Sequence, residues 1–298
     1  MEPYRHKRKL TEIFTVPPIS TLDIKQKYWK DRKAYWNSLG IKSELGRNDN
    51  LLKLSKIMQE HQNSTSIFDP VLCELMYSWF TAPDDIVLDP FAGGSVRGII
   101  ASKLQRNYSG IELREEQVEH NRIQAAMCES HVPTWINGSS TDITIDEKCD
   151  FLFTCPPYYD LEVYSDMEDD LSAMSHDDFE DAFRKSIALN VAQLKDDRFC
   201  AIVVGDVRGQ DGNYLKFPQK TVEIFEDNGC KLYNELILLQ EPAFAAFRAF
   251  NLMNSSRKIA KSHQNVFVFI KGDYKAATNR LPQFETDAPN TTIDTFFE

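Results

Sequence analysis

From about residue 68 the sequence alternates short β-rich runs with helical runs, and this alternation restricts the fold more than any other feature. "DIVLDPF" (85–91), "NYSGIEL" (107–113), "TWINGS" (134–139), "CDFLFTCP" (149–156) and "RFCAIVVGDV" (198–207) read as strands, short and flanked by turn residues. Between them, "GGSVRGIIASKLQ" is a glycine turn entering a helix, and "REEQVEHNRIQAAMCESH" is a helix with acids in its first turns. "SHDDFEDAFRKSIALNVAQLK" predicts a long helix opened by Ser175 as its N-cap. "PVLCELMYSWF" has helical spacing ahead of the first strand. Such alternation buries its apolar faces as a doubly wound, mostly parallel α/β sheet with helices on both sides. "CKLYNELILLQ" (230–240) and "SHQNVFVFIKG" (262–272) predict two final strands with no helix between them, and hence an antiparallel edge strand.

Residues 1–66 have a different texture and predict a helical, basic-aromatic extension. "TLDIKQKYWKDRKAYWNSLG" (21–40) ends on a glycine suited to close a helix, and "LLKLSKIMQEHQ" reads as a short amphipathic helix. Residues 67–272 then form the alternating domain, with 241–261 as an insertion, and 273–298 reads as an extended arm. Apolar runs fall far short of the ~20 residues of a membrane span. No apolar segment follows the basic N-terminus, so no secretory signal is expected. The six cysteines, Cys73, Cys128, Cys149, Cys155, Cys200 and Cys230, form no CxxC pair and read as reduced thiols of a cytoplasmic protein, with no metal site.

In an open α/β sheet ligands bind beyond the carboxyl ends of the strands, near the point where strand order reverses. The first strand leads into "DPFAGGSVRG" (89–98), where Gly93 and Gly94 permit a tight turn and close backbone approach to a ligand. The second ends at Glu112, placed to accept hydrogen bonds from ribose hydroxyls, or simply to complement a helix dipole. The third leads to "NGSSTDI" and Asp142, and the fourth to "TCPPYY". There is neither a GxGxxG nor a GK[ST] signature, which disfavours a nucleotide phosphate as ligand.

The set "DPFAGG…E…D…TCPPYY" resembles the S-adenosylmethionine-dependent DNA amino-methyltransferases, which modify adenine N-6 or cytosine N-4, over roughly residues 68–272. The "YWKDRK…SELGR" leader and the "SHQNVFVFIKG" ending are similar to a phage-type group of these methylases. The resemblance implies a Rossmann-like methyltransferase sheet and S-adenosylmethionine as cofactor. It implies that Phe68 and Asp69 close over the methionine carboxylate and that Asp89, Pro90, Phe91, Gly93 and Gly94 cradle the methionine half. Glu112 would hold the ribose, Asp142 would neighbour the adenine, and Thr154 would join the same cofactor set.

Cys155, Pro156, Pro157 and Tyr158 are then the catalytic segment. An exocyclic amine has its lone pair delocalised into the ring, and it attacks a methyl group well only when acceptors hold its hydrogens. Diproline fixes two φ angles and extends residue 155, so a carbonyl is presented with little freedom to lose. Tyr158 offers a stacking face to a base rotated out of the duplex. Family members place Asp, Asn or Ser before the prolines, whereas this chain has Cys155. Ser is the nearest shape, which tilts the expectation slightly towards cytosine, although a thiol is a weak acceptor. The alternatives are a covalent Cys155 nucleophile and a cysteine that only packs at a strand end.

The net charge of −11 argues against holding nucleic acid through the overall field, so DNA contact is expected from local basic segments. "KQKYWKDRK" (25–33) is one, or else an amphipathic helix with its tryptophans on the core. "RAFNLMNSSRKIAKSHQ" (248–264), with Arg248, Arg257 and Lys258, is the other. Tyr159 and Asp160 complete the expected substrate contacts. Two rival readings stand beside DNA methylation: the same chemistry on RNA or protein, and a non-catalytic cofactor-binding subunit of a complex.

Overall fold

The strand-forming runs assemble into one eight-stranded sheet in the computed structural model, which describes residues 9–42, 67–159, 164–165, 167–240 and 245–284. The strands are β1 (Thr21–Asp23), β2 (Ile86–Asp89), β3 (Asn107–Glu112), β4 (Thr134–Asn137), β5 (Phe151–Thr154), β6 (Arg198–Val204), β7 (Cys230–Leu239) and β8 (His263–Lys271). Their order across the sheet is β1-β7-β8-β6-β5-β2-β3-β4. β8 runs antiparallel to both of its neighbours, and every other pairing is parallel.

Three expectations are corrected here. The antiparallel strand does not lie at an edge: β8 inserts between β6 and β7, and the edges are β1 and β4. A helix, α8 (Ala245–Ser256), does separate β7 from β8. None of its described side chains is buried, so no core contact holds it as the other long helices are held. The tail starts with a short helix, α9 (Tyr274–Asn279), and is not extended from residue 273. The helix read over 51–62 lies outside the described residues.

The remaining helices are α1 (Leu10–Phe14), α2 (Lys27–Ser38), α3 (Pro70–Phe80), α4 (Val96–Lys103), α5 (Glu115–Ala125), α6 (His176–Ala192) and α7 (Phe217–Asp227). α3 starts where Asp69 accepts the Val71 N–H at 2.9 Å and Pro70 takes the first helical position. α6 is capped by Ser175, whose Oγ accepts from the Asp178 N–H at 3.3 Å. α2, α3, α4 and α5 contribute to the apolar layer on one face of the sheet, and α6 and α7 to the layer on the other.

The N-terminal segment is knitted into this body. β1 pairs with β7, and α2 packs on α3 with Trp29 and Trp36 fully buried. Trp36 Nε1 donates to Glu74 at 2.6 Å, Arg32 pairs with the same carboxylate, and Lys33 pairs with Asp69 at 2.9 Å. The basic-aromatic run 25–33 therefore docks on the body: Trp29 faces the core, and Arg32 and Lys33 pair with buried Glu74 and half-buried Asp69.

Winding proceeds from β2 through β3 to β4 in one direction, then restarts on the other side of β2 with β5 and β6. Strand order thus reverses between β2 and β5, where a ligand site belongs.

Candidate active site

A cleft of about 260 Å³ opens at the carboxyl ends of β2, β3, β4 and β5, astride that reversal. Its first wall is the turn after β2. Gly93 has φ +52°, a backbone conformation that costs a side chain but not glycine. Three groups pin the turn. Arg97 from α4 donates to the carbonyls of Phe91 (2.6 Å) and Ala92 (2.9 Å) while its Nε pairs with Asp89 at 2.5 Å. Asn121 from α5 donates to the Gly93 carbonyl at 2.7 Å. The Ala92 N–H bonds the Ile111 carbonyl of β3 at 2.9 Å. Pro90, Phe91, Gly93 and Gly94 all line the cleft, as does Phe68, whose ring lies 4.4 Å beneath the Arg97 guanidinium.

Glu112, at the end of β3, forms the second wall. Its Oε1 accepts the Arg114 N–H at 3.0 Å, with the Arg114 guanidinium 3.6 Å away, so the carboxylate is held in orientation. The third wall is Cys155, Pro156, Pro157 and Tyr158, directly after β5. Cys155 Sγ lies 3.4 Å from the Tyr158 hydroxyl, within hydrogen-bond range for sulfur. That hydroxyl accepts from Gln264 Nε2 at 2.8 Å, and Gln240 Nε2 in turn donates to Gln264 Oε1 at 2.8 Å. Gly205, after β6, allows this arrangement, since a Cβ there would sit 3.0 Å from the Tyr158 ring.

Several residues expected in the site lie behind it. Asp89 is fully buried and accepts from Arg97, from the Tyr108 hydroxyl (2.7 Å) and from Thr154 Oγ1 (2.7 Å). Thr154 also accepts the Phe91 N–H at 3.2 Å. This pair ties the end of β2 to the end of β5 and so fixes the first wall against the third. Burial pulls the Arg97 guanidinium pKa down, but Asp89 more than reverses this and the net shift is upward. Tyr108 is raised by burial and then by Asp89. Asp69 caps α3 and receives Trp29 and Lys33, away from the cleft lining. Asp142 is exposed and paired with Lys185 at 2.9 Å, which lowers its pKa.

Tyr159 is corrected from a substrate contact to a core residue. Its backbone turns to φ +52°, its ring stacks on Phe179 at 4.3 Å, and its hydroxyl donates to Glu180 at 2.9 Å. Burial, then Glu180, raises its pKa. Asp160 lies outside the described residues. Arg248 and Arg257 are exposed and Lys258 half-buried, none of them in the cleft lining.

Sequence reasoning missed Arg97, Asn121, Gly205 and Gln264, and also Tyr164, Asp169 and Asp170, which bring part of the acidic segment to the cleft. Only Arg97, inside the glycine-turn motif, had a sequence signal to find it by. The donor set suits an adenosyl-amino-acid ligand: a backbone turn with glycine at its apex, a fixed carboxylate one strand away, and an aromatic-diproline wall. Ser95 Oγ, beside Gly94, is buried and makes no hydrogen bond among the described residues.

A DNA methylase family model matches residues 5–124, which includes the turn after β2 and Glu112 and ends before Cys155. No curated protein matches the sequence. Among solved structures, a candidate RNA methyltransferase from Pyrococcus horikoshii is similar at a TM-score of 0.50 and 13% identity, covering 82% of this chain and 100% of its own. Magnesium protoporphyrin IX methyltransferase from Synechocystis PCC 6803, solved with S-adenosylmethionine bound, gives 0.47 and 12%, covering 82% and 96%. TrmN from Thermus thermophilus gives 0.47 and 13%, covering 68% of this chain and 49% of its own, so this chain spans about half of TrmN's length. What this chain shares with the Pyrococcus horikoshii protein is the fold, a Rossmann-like, mostly parallel α/β sheet. Over residues 5–124 the sequence is thus similar to a family of DNA methylases, and the remainder of the chain lies beyond that match.

Proposed function

We propose that this chain moves a methyl group from S-adenosylmethionine to the exocyclic amine of a base in DNA, with cytosine N-4 favoured over adenine N-6. The observation that carries the reading is spatial. The pinned Gly93–Gly94 turn, the fixed Glu112 carboxylate and the Cys155–Tyr158 segment line one cleft, although they are far apart in sequence. The cofactor, when bound, supplies an electrophilic sulfonium methyl. Gly93 and Gly94 would hold its methionine half and Glu112 its ribose.

The chain's own contribution is positioning and electrostatics. Cys155 and the Pro156 carbonyl accept from the amine hydrogens and favour a tetrahedral nitrogen with its lone pair available. Tyr158 stacks against the base, and Gln264 and Gly205 fix that ring. The amine is engaged in pairing within a duplex, so the base must leave the stack to enter the cleft. The preference for cytosine rests on Cys155 standing where the cytosine-type motif has Ser. Among the described residues no helix is long and apolar enough to cross a membrane.

The test offers the protein methyl-labelled S-adenosylmethionine with unmethylated DNA, RNA or protein as separate acceptors. The reading requires label in DNA, lost on Tyr158→Ala while cofactor affinity is kept. Label only in RNA or protein would move the activity to that acceptor, and cofactor binding without transfer would make the chain a binding subunit.

A further inference from the structure

The helix between β7 and β8 is the least embedded of the described helices, with no buried side chain among its described residues. Phe247 is 61% exposed and Phe250 67% exposed, three positions apart and hence on one face of α8. Leaving two phenylalanines in water is unfavourable, and a contiguous apolar patch of this kind marks a binding surface. Its position is set by topology. β7 ends, and the antiparallel β8 begins, at the same end of the sheet as Gly93, Glu112 and Cys155, and Gln264 of β8 lines the cleft.

Charge identifies the occupant. Residues 245–264 hold Arg248, Arg257, Lys258 and Lys261 and not one acid, in a chain of net charge −11. The facing loop adds Arg208, stacked over the Tyr214 ring at 3.8 Å, with the Lys261 ammonium 5.7 Å from the same ring. Its two acids are both engaged: Asp211 accepts from Asn213, and Asp206 from the Phe217 N–H. Basic groups interleaved with exposed aromatic rings, beside a cleft shaped for a base, fit a nucleic acid: the bases contact phosphates and the rings contact nucleobases.

We propose that α8 is the duplex-opening element of the enzyme: Arg248, Arg257, Lys258 and Lys261 hold the DNA backbone, and Phe247 and Phe250 fill the gap left in the base stack when the target rotates into the cleft. This rests on the DNA-methylation reading above and adds to it which surface meets the duplex and what the exposed rings do. Apolar wedges of this kind offset the cost of unstacking. They matter only for a target that begins inside a duplex.

The experiment compares methyl transfer from labelled S-adenosylmethionine to unmethylated plasmid DNA, intact and heat-denatured, with cofactor affinity as a check on folding. Phe247→Ala/Phe250→Ala should lower transfer to intact duplex at least tenfold and leave transfer to denatured DNA within about twofold. Phe247→Trp/Phe250→Trp should keep transfer to both. Arg257→Ala/Lys258→Ala should weaken both forms alike and flatten the salt dependence of binding. The wedge is overturned if the double alanine variant loses transfer equally on both forms, or methylates duplex like the parent. It is overturned equally if the parent sediments as a dimer that this variant dissolves, since a second copy would then cover the patch. A parent that methylates neither form refutes the underlying reading, and the wedge with it.

Discussion

Arg97→Met removes one guanidinium and keeps an apolar stem of similar length, so its effect measures what holds the cleft's first wall. In the parent, Arg97 pairs with fully buried Asp89 at 2.5 Å and donates to the Phe91 and Ala92 carbonyls. Without it, Asp89 retains hydrogen bonds from Tyr108 and Thr154, each 2.7 Å, but faces no cation. Breaking one side of a buried pair costs about 3–5 kcal/mol, against a total stability of about 5–15 kcal/mol. At roughly 2 °C per kcal/mol for a chain of this size, the melting point should fall by about 6–10 °C. Asp89→Asn in the same background should recover part of the loss, because Thr154 can still donate to the amide oxygen and the amide N–H can donate to the Tyr108 hydroxyl, with no buried charge left. The double-mutant cycle, read by thermal and urea unfolding, should give a coupling of about 2–3 kcal/mol. A melting point within about 2 °C of the parent, or a double variant at the sum of the singles, refutes the reasoning.

Asp150 tests the opposite end of the sheet. It pairs with Lys195 at 2.9 Å and Arg198 at 3.0 Å, and although burial works against the charge, these partners lower its pKa. A depressed carboxylate stabilises the fold above its unfolded value near 3.8 and loses that contribution as the pH falls through the folded value. Melting curves for Asp150→Asn should therefore lie below the parent at pH 6 and converge with it below about pH 3. Cys155→Ser should transfer methyl groups at a rate within about threefold of the parent or faster, because a hydroxyl is the better acceptor; abolished transfer would point to a covalent thiol. Gln264→Ala should lower kcat about tenfold with unchanged cofactor affinity, as the Tyr158 hydroxyl loses its 2.8 Å donor; a pure loss of stability would leave kcat of the folded fraction intact.

The strand ends that build the site were legible because their signals are local. Gly93 and Gly94 announce a turn, Glu112 closes an alternating run, and two prolines stop β5 wherever the rest of the chain goes. What could not be read depends on partners distant in sequence. β1 is three residues long, too short for periodicity, and exists because β7 offers it an edge. β8 reads as a final strand, but only the path of β7 beyond it makes it interior. Asp89 and Thr154 sit at the right strand ends yet point into each other, a relation fixed by β2–β5 register. Tyr158 and Tyr159 are adjacent and chemically alike, and the positive φ at Tyr159 sends one ring to the core and leaves the other at the cleft. The tryptophans of α2 sit in a basic-aromatic run suited to nucleic acid, but buried Glu74 and half-buried Asp69, distant in sequence, accept from their indole N–H groups.

The central claim is that the methyl group lands on an exocyclic nitrogen of a DNA base. Digestion of DNA methylated by the purified chain, followed by mass identification of the nucleosides, tests this directly. The account predicts N-4-methylcytosine, or N-6-methyladenine if Cys155 does not mimic Ser. Methylation at cytosine C-5, or DNA with no added methyl, would contradict it.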